Sequence, residues 1–158
     1  ELSQALLALK SVQPVSSGLS DNDAFEAGGM KYQVVSAALK TVKLVKGKDK
    51  PSVTVNTVSV NGAEYKVVEI SAKAFIGCKK KLKKVTLGPN VQVIGKNAFK
   101  NCKKLKTVIV QNKSKLKKVN AGAFKQTAKG ISIKLPKNLK KNKNLKKKIR
   151  SAGIKKIK

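Results

Sequence analysis

The sequence predicts an α+β chain: a short right-handed solenoid of about three repeated coils, with a small N-terminal β cap and a C-terminal capping helix. Three observations carry this expectation. Two independent motifs recur with a period in the low twenties. Apolar residues fill 41% of the 158 positions, ordinary globular usage, so the formal charge of +30 does not by itself mark a disordered basic tail. The charge is also segregated: all seven acids and eight lysines precede Ile70, and the other 29 of the 37 basic residues follow with no acid among them. The absence of His removes the commonest general acid/base and the commonest metal ligand, which disfavours most enzyme classes.

Residues 1–24 fit no repeat. Leu2, Leu6 and Leu9 recur at helical spacing, which suggests a short helix or a mobile tail. That apolar stretch falls well short of the ~20 residues a membrane span requires. No positively charged region precedes it, so export would depend on a signal peptide not contained in these residues. Residues 25–66 read as a β cap. Met30 to Ser36 and Thr41 to Val45 alternate as strands, and Asn61-Gly62 between Val58 and Tyr65 is a strong hairpin signal.

Residues 67–135 hold the repeats. One motif runs Val67, Ile70, Ala74-Phe75, Cys78; then Val91, Ile94, Ala98-Phe99, Cys102; then Leu116, Val119, Ala123-Phe124, Thr127. Its Ala-Phe step falls at 74, 98 and 123, intervals of 24 and 25 residues. The second motif is Leu82-Lys-Lys-Val85-Thr-Leu87, Leu105-Lys-Thr-Val108-Ile-Val110 and Gly130-Ile131-Ser-Ile133; Val85, Val108 and Ile131 are each 23 apart. A unit this short cannot bury its own apolar side chains, but stacked coils can, each giving one short strand to a parallel sheet. Alternation then turns Val85/Leu87, Val108/Val110 and Ile131/Ile133 inward and Thr86, Ile109 and Ser132 outward. Phe75, Phe99 and Phe124 should stack in the turn opposite, each preceded by an Ala small enough to face the next coil. Residues 136–158 read as a basic cap: Pro136 opens a helix whose apolar face is Leu135, Leu139, Leu145, Ile149 and Ala152, Gly153 ends it, and Ile154 to Ile157 adds an edge strand.

The pattern V-x-x-I-G-x-x-A-F-x-x-C-x-x-L-x-x-V-x-I, followed almost residue for residue from Val91 to Val110, resembles the BspA-type leucine-rich repeat of bacterial cell-surface proteins. The first repeat departs by one extra Lys before Leu82, and the third has Thr127 in place of Cys and no clear Leu after it. Phe25, Gly28 or Gly29, Tyr32 and Val34 are similar to the sheet with which members of that family commonly begin. The resemblance implies a secreted or surface-displayed protein that binds without chemistry.

Cys78 and Cys102 hold one repeat position in adjacent coils. They read as two buried thiols or, alternatively, as a disulfide, since stacked strands lie ~4.8 Å apart, at the short end of the disulfide range. With no His, no zinc site can be assembled and a cysteine nucleophile would lack its base. Lys79, Lys80, Lys83, Lys103, Lys104 and Lys106 form rows of like charge, a candidate polyanion ridge or simply the solvated face of a duplicated unit. The candidate binding face is Lys84, Thr86, Thr107, Ile109, Ser132 and Lys134. Asp21-Asn22-Asp23 lacks the Gly and the closing Glu of a calcium loop. No catalytic, metal or cofactor residue is expected, nor a cofactor.

The expected function is a non-enzymatic, extracellular or surface-bound recognition module whose partner is a protein or glycan on a cell surface, or an anionic wall polymer. The alternatives are a basic polyanion- or nucleic-acid-binding protein and a structural spacer within a longer wall-associated protein. Nucleic acid is disfavoured because Arg150 is the sole arginine and aromatics are 4% of the chain, which leaves little for base readout or stacking.

Overall fold

The computed structural model describes residues 18–158, so the helix or tail expected around Leu2 to Leu9 lies outside the described residues. The chain enters through three antiparallel strands: β1 (Ala24–Ala27), β2 (Met30–Ser36) and β3 (Thr41–Lys46). Alternation buries Met30, Tyr32 and Val34 on β2 and Val42 and Leu44 on β3, as the period-2 pattern requires. Phe25 stacks on Tyr32 with ring centroids 5.4 Å apart, and Tyr65 lies 6.4 Å from the same Phe25 ring. β5 (Thr57–Val60) and β6 (Ala63–Ile70) form the expected hairpin. Its two turn residues, Asn61 and Gly62, have φ of 52° and 78°, the left-handed pair a two-residue turn needs to match strand twist.

From β3 onward the chain winds as successive coils, each feeding two sheets. In the first sheet the order is β1-β2-β3-β6-β8-β10, where β8 is Val93–Ile94 and β10 is Lys118–Val119, with β5 beside β6. The pairings from β3 to β10 are parallel and align Leu44, Ile70, Ile94 and Val119 into one buried row. The second sheet has the order β12-β11-β9-β7-β4 and is parallel throughout. Its strands are β4 (Ser52–Val55), β7 (Lys84–Leu87), β9 (Thr107–Val110), β11 (Ser132–Lys134) and β12 (Lys156–Ile157). Val53, Val85, Val108 and Ile133 form its inner row.

Between the sheets the Ala-Phe steps stack. The Phe75 and Phe99 centroids are 4.7 Å apart and those of Phe99 and Phe124 are 5.1 Å apart, with interplanar angles of 11° and 3°. Backbone bonds run beside them: Gly47 N–H donates to Ala74 O (2.8 Å), Phe75 N–H to Ala98 O (2.7 Å), Phe99 N–H to Ala123 O (2.7 Å) and Phe124 N–H to Ala152 O (2.9 Å). Ala74, Ala98 and Ala123 are buried, consistent with the demand for a small residue where coils touch.

Three details differ from the sequence reading. Residues 41–55 already form a coil, because β3 and β4 pair in parallel with the strands that follow. In the third coil Ile133 pairs with Val108, where equal 23-residue spacing had aligned Ile131; a slip of two residues keeps the same side chains facing inward, so both Ile131 and Ile133 remain buried. The single C-terminal helix is two: α1 (Lys137–Lys140) and α2 (Lys143–Ala152). Asn142 restarts the helix, its side-chain oxygen accepting from Leu145 N–H at 3.0 Å, while Leu139, Leu145, Ile149 and Ala152 are still buried.

The residue before each Ala-Phe step is left-handed: Lys73, Asn97 and Gly122 have φ of 61°, 57° and 70°. Asn and Gly accept this region and Lys does not, at a cost of roughly 1–2 kcal/mol. Lys73→Asn should therefore raise stability by about 1 kcal/mol in urea denaturation; a neutral or destabilising result would show that the Lys73 side chain contributes more than its backbone costs.

Candidate binding surfaces

The second sheet gathers all six residues of the candidate face on its outer side. Register aligns Lys84, Thr107 and Ser132 in one row and Thr86, Ile109 and Lys134 in the next. Ser52 and Thr54 extend the two rows by one coil, and Lys156 extends the first at the other end. These three were missed by sequence reasoning, although Ser-Val-Thr-Val over β4 carries the same alternation as Lys-Val-Thr-Leu over β7. Ile109 is half-buried and is the sole apolar side chain of the two rows. It also lines a depression shared with Gln111, Lys134, Pro136, Lys137 and Lys140, so an apolar contact there is bordered by three lysines.

The candidate ridge is partly gathered. Lys83 and Lys106 sit in register on adjacent coils, Lys106 N–H donating to Lys83 O at 2.9 Å. With Lys103 and Lys104 they line one depression, joined by Ala128. Lys79 and Lys80, on the same coil as Lys83, are exposed and do not line it. Ala128 N–H donates to Leu105 O at 3.3 Å, which seats the third coil against the second beside this depression.

Asp49, on the loop after β3, organises the segment that carries the extra Lys. Its carboxylate accepts from the N–H groups of Lys80 (3.1 Å), Lys81 (2.9 Å) and Leu82 (2.9 Å). Burial works to raise the Asp49 carboxyl, but these amides and the Lys81 charge outweigh it and hold the group below its ordinary 3.8. Asp21 and Asp23 also serve structure, accepting from Ala37 N–H (2.7 Å) and Ser20 N–H (2.8 Å).

Cys78 and Cys102 are buried free thiols, which selects the thiol reading over the disulfide. Cys102 Sγ donates to Phe75 O at 3.1 Å. Burial, reinforced by Cys78 and Asp49, pushes the Cys102 thiol up to about 12. Burial and Asp49 push Cys78 up to about 11 despite the opposing charge of Lys46. Both are protonated at neutral pH and therefore poor nucleophiles. A thiol reagent at pH 7 should label neither in the folded protein and both in denaturant; labelling of the native chain would show that the coils open at this position. Among the described residues no group of His, Cys, Asp and Glu could hold a metal ion, and no helix is long and apolar enough to cross a membrane.

Parallel strands stacked at a period of 23–25 residues, with one apolar core between two sheets, define a leucine-rich-repeat protein. Residues 55–148 match the family model described as the BspA type leucine rich repeat region, in 6 copies, and the chain belongs to that family. Among solved structures it is similar to a leucine rich cell surface protein from Faecalibacterium prausnitzii, with 26% identity and a TM-score of 0.58 over 71% of this chain and 32% of that one. A leucine-rich repeat protein from Bacteroides ovatus aligns over 71% of this chain and 37% of that one, with 21% identity and a TM-score of 0.52. The chain thus spans about a third of the length of these two proteins. No curated protein matches it.

Proposed function

We propose that the protein is a right-handed leucine-rich-repeat solenoid, closed at its start by the β1–β3 sheet and at its end by α2, that acts at or outside a bacterial cell surface as a non-enzymatic recognition module. Its partner is a protein or glycan presented on a surface, held against the outer face of the second sheet. The observation that carries this reading is the pair of aligned rows Ser52, Lys84, Thr107, Ser132 and Thr54, Thr86, Ile109, Lys134, a strip of short hydroxyl and ammonium donors interrupted by one apolar contact beside a depression. The family and the similarity to a cell-surface protein support the location.

Screening the whole chain against arrayed glycans and immobilised surface proteins, at low and high salt, should yield a partner retained at high salt. Ile109→Lys should weaken that binding about tenfold or more, a loss of ~1.4 kcal/mol, with the melting temperature unchanged. Retention of full affinity by the folded variant would place recognition elsewhere.

A further inference from the structure

We propose that the depression lined by Lys83, Lys103, Lys104 and Lys106 is a docking site for a flexible, linear phosphodiester polymer that carries no bases. This site lies apart from the outer face of the second sheet and does not rest on that face's role. Four exposed lysines from two adjacent coils line one depression, and its remaining lining residue, Ala128, is too small to obstruct it. Lys83 and Lys106 are fixed one coil apart by the bond between their backbones. Among the described residues no acid lines the depression: every Asp and Glu of the chain precedes Ile70, and Asp49, which approaches the segment just before Lys83, spends its carboxylate on the backbone N–H groups of Lys80, Lys81 and Leu82. Like charges lining one depression repel, and a polymer with successive anionic groups relieves that repulsion while releasing its own counterions.

The side-chain chemistry selects the kind of polymer. A compact ammonium meets a single anionic oxygen as a point charge, whereas planar, bidentate recognition of phosphate belongs to arginine, and the one arginine, Arg150, lies on α2. Single-stranded nucleic acids are held largely by base stacking on exposed aromatic rings. All six aromatic residues of this chain are engaged elsewhere: Phe75, Phe99 and Phe124 in the buried stack, and Phe25, Tyr32 and Tyr65 in the N-terminal cluster.

The test titrates the whole chain against fluorescent poly(glycerol phosphate) over a range of salt concentrations. The quadruple variant K83Q/K103Q/K104Q/K106Q is compared with K141Q/K143Q/K147Q/K148Q, which removes equal charge elsewhere. The first should lose about tenfold or more in affinity at low salt, and its slope of log K against log salt should fall by roughly three, at ~0.7 per contact. The second should lose less than about threefold. The double variant K104Q/K106Q should show an intermediate loss and secures the comparison if the quadruple one is poorly folded. Equal losses in the two quadruple variants, or none in the first, would overturn the site. Markedly tighter binding of oligo(dT) of equal phosphate number, or of heparin, would overturn the assigned polymer in favour of a nucleic acid or a sulfated glycan.

Discussion

Replacing Phe99 by alanine is expected to cost about 3–5 kcal/mol, enough to lower the melting temperature by roughly 10 °C. Phe99 is fully buried between two parallel rings, at centroid distances of 4.7 and 5.1 Å, so truncation removes its own burial and one face of contact from each neighbour. Offset stacking adds about 0.5–1.5 kcal/mol per pair beyond area. Phe75 and Phe124 each have one ring partner, so Phe75→Ala and Phe124→Ala should be milder than Phe99→Ala by about one such increment. The backbone bonds of Phe99 survive the substitution, so the loss reports packing alone. Because each coil touches only its neighbours, a cavity at the centre of the stack also weakens the coupling between the two ends of the chain. Urea unfolding of the Phe99 variant should accordingly become broader or biphasic. Equal costs for the three alanine variants would mean that the rings act as independent plugs and not as a stack.

What was legible in the sequence followed from how strictly each position is constrained. The Ala-Phe step repeats because a ring and its slot must recur in every coil, and the stack fell where the spacing put it. Asn61-Gly62 was legible because few other residue pairs accept that turn. The coil over residues 41–55 was hidden because it lacks the Ala-Phe signature, leaving only the alternation of Leu44 and of Val53 and Val55 as its trace. The pairing of Ile133 with Val108 was hidden for the opposite reason: a two-residue slip leaves the burial pattern unchanged, so alternation cannot report it. Break of the terminal helix at Asn142 turned on one side-chain hydrogen bond within a run whose apolar spacing was compatible with continuity. The candidate face was legible from alternation, whereas the convergence of Lys83 with Lys103, Lys104 and Lys106 depends on how the loops fold over adjacent coils, and the sequence shows only that such lysines recur.

Gly47→Ala should destabilise the protein by about 1–3 kcal/mol, although the backbone there is of a kind any residue adopts. Gly47 N–H donates to Ala74 O just as each stacked Phe N–H donates to the Ala of the next coil, so Gly47 occupies the Phe position of the first coil. A ring cannot follow the stack there, because the Phe75 ring itself lies where the Gly47 side chain would begin: a Cβ added to Gly47 would overlap its Cε1, Cδ1 and Cζ atoms. The clash is with a rigid ring packed against Phe99, so it cannot be relieved by a small rotation of a flexible chain. In open space the same change would stabilise by about 0.4–1 kcal/mol through the unfolded state, so the sign of the effect is decisive. Gly77 supplies the control: it has ordinary φ and nothing within 4 Å of an added Cβ, and Gly77→Ala should be neutral or slightly stabilising. Combining Gly47→Ala with Phe75→Leu, which withdraws part of the ring, should cost less than the sum of the two single changes, with a coupling of about 0.5 kcal/mol or more. If the two costs add, or if Gly47→Ala stabilises, the first coil does not end the aromatic stack by exclusion, and Gly47 is there for some reason other than the ring beside it.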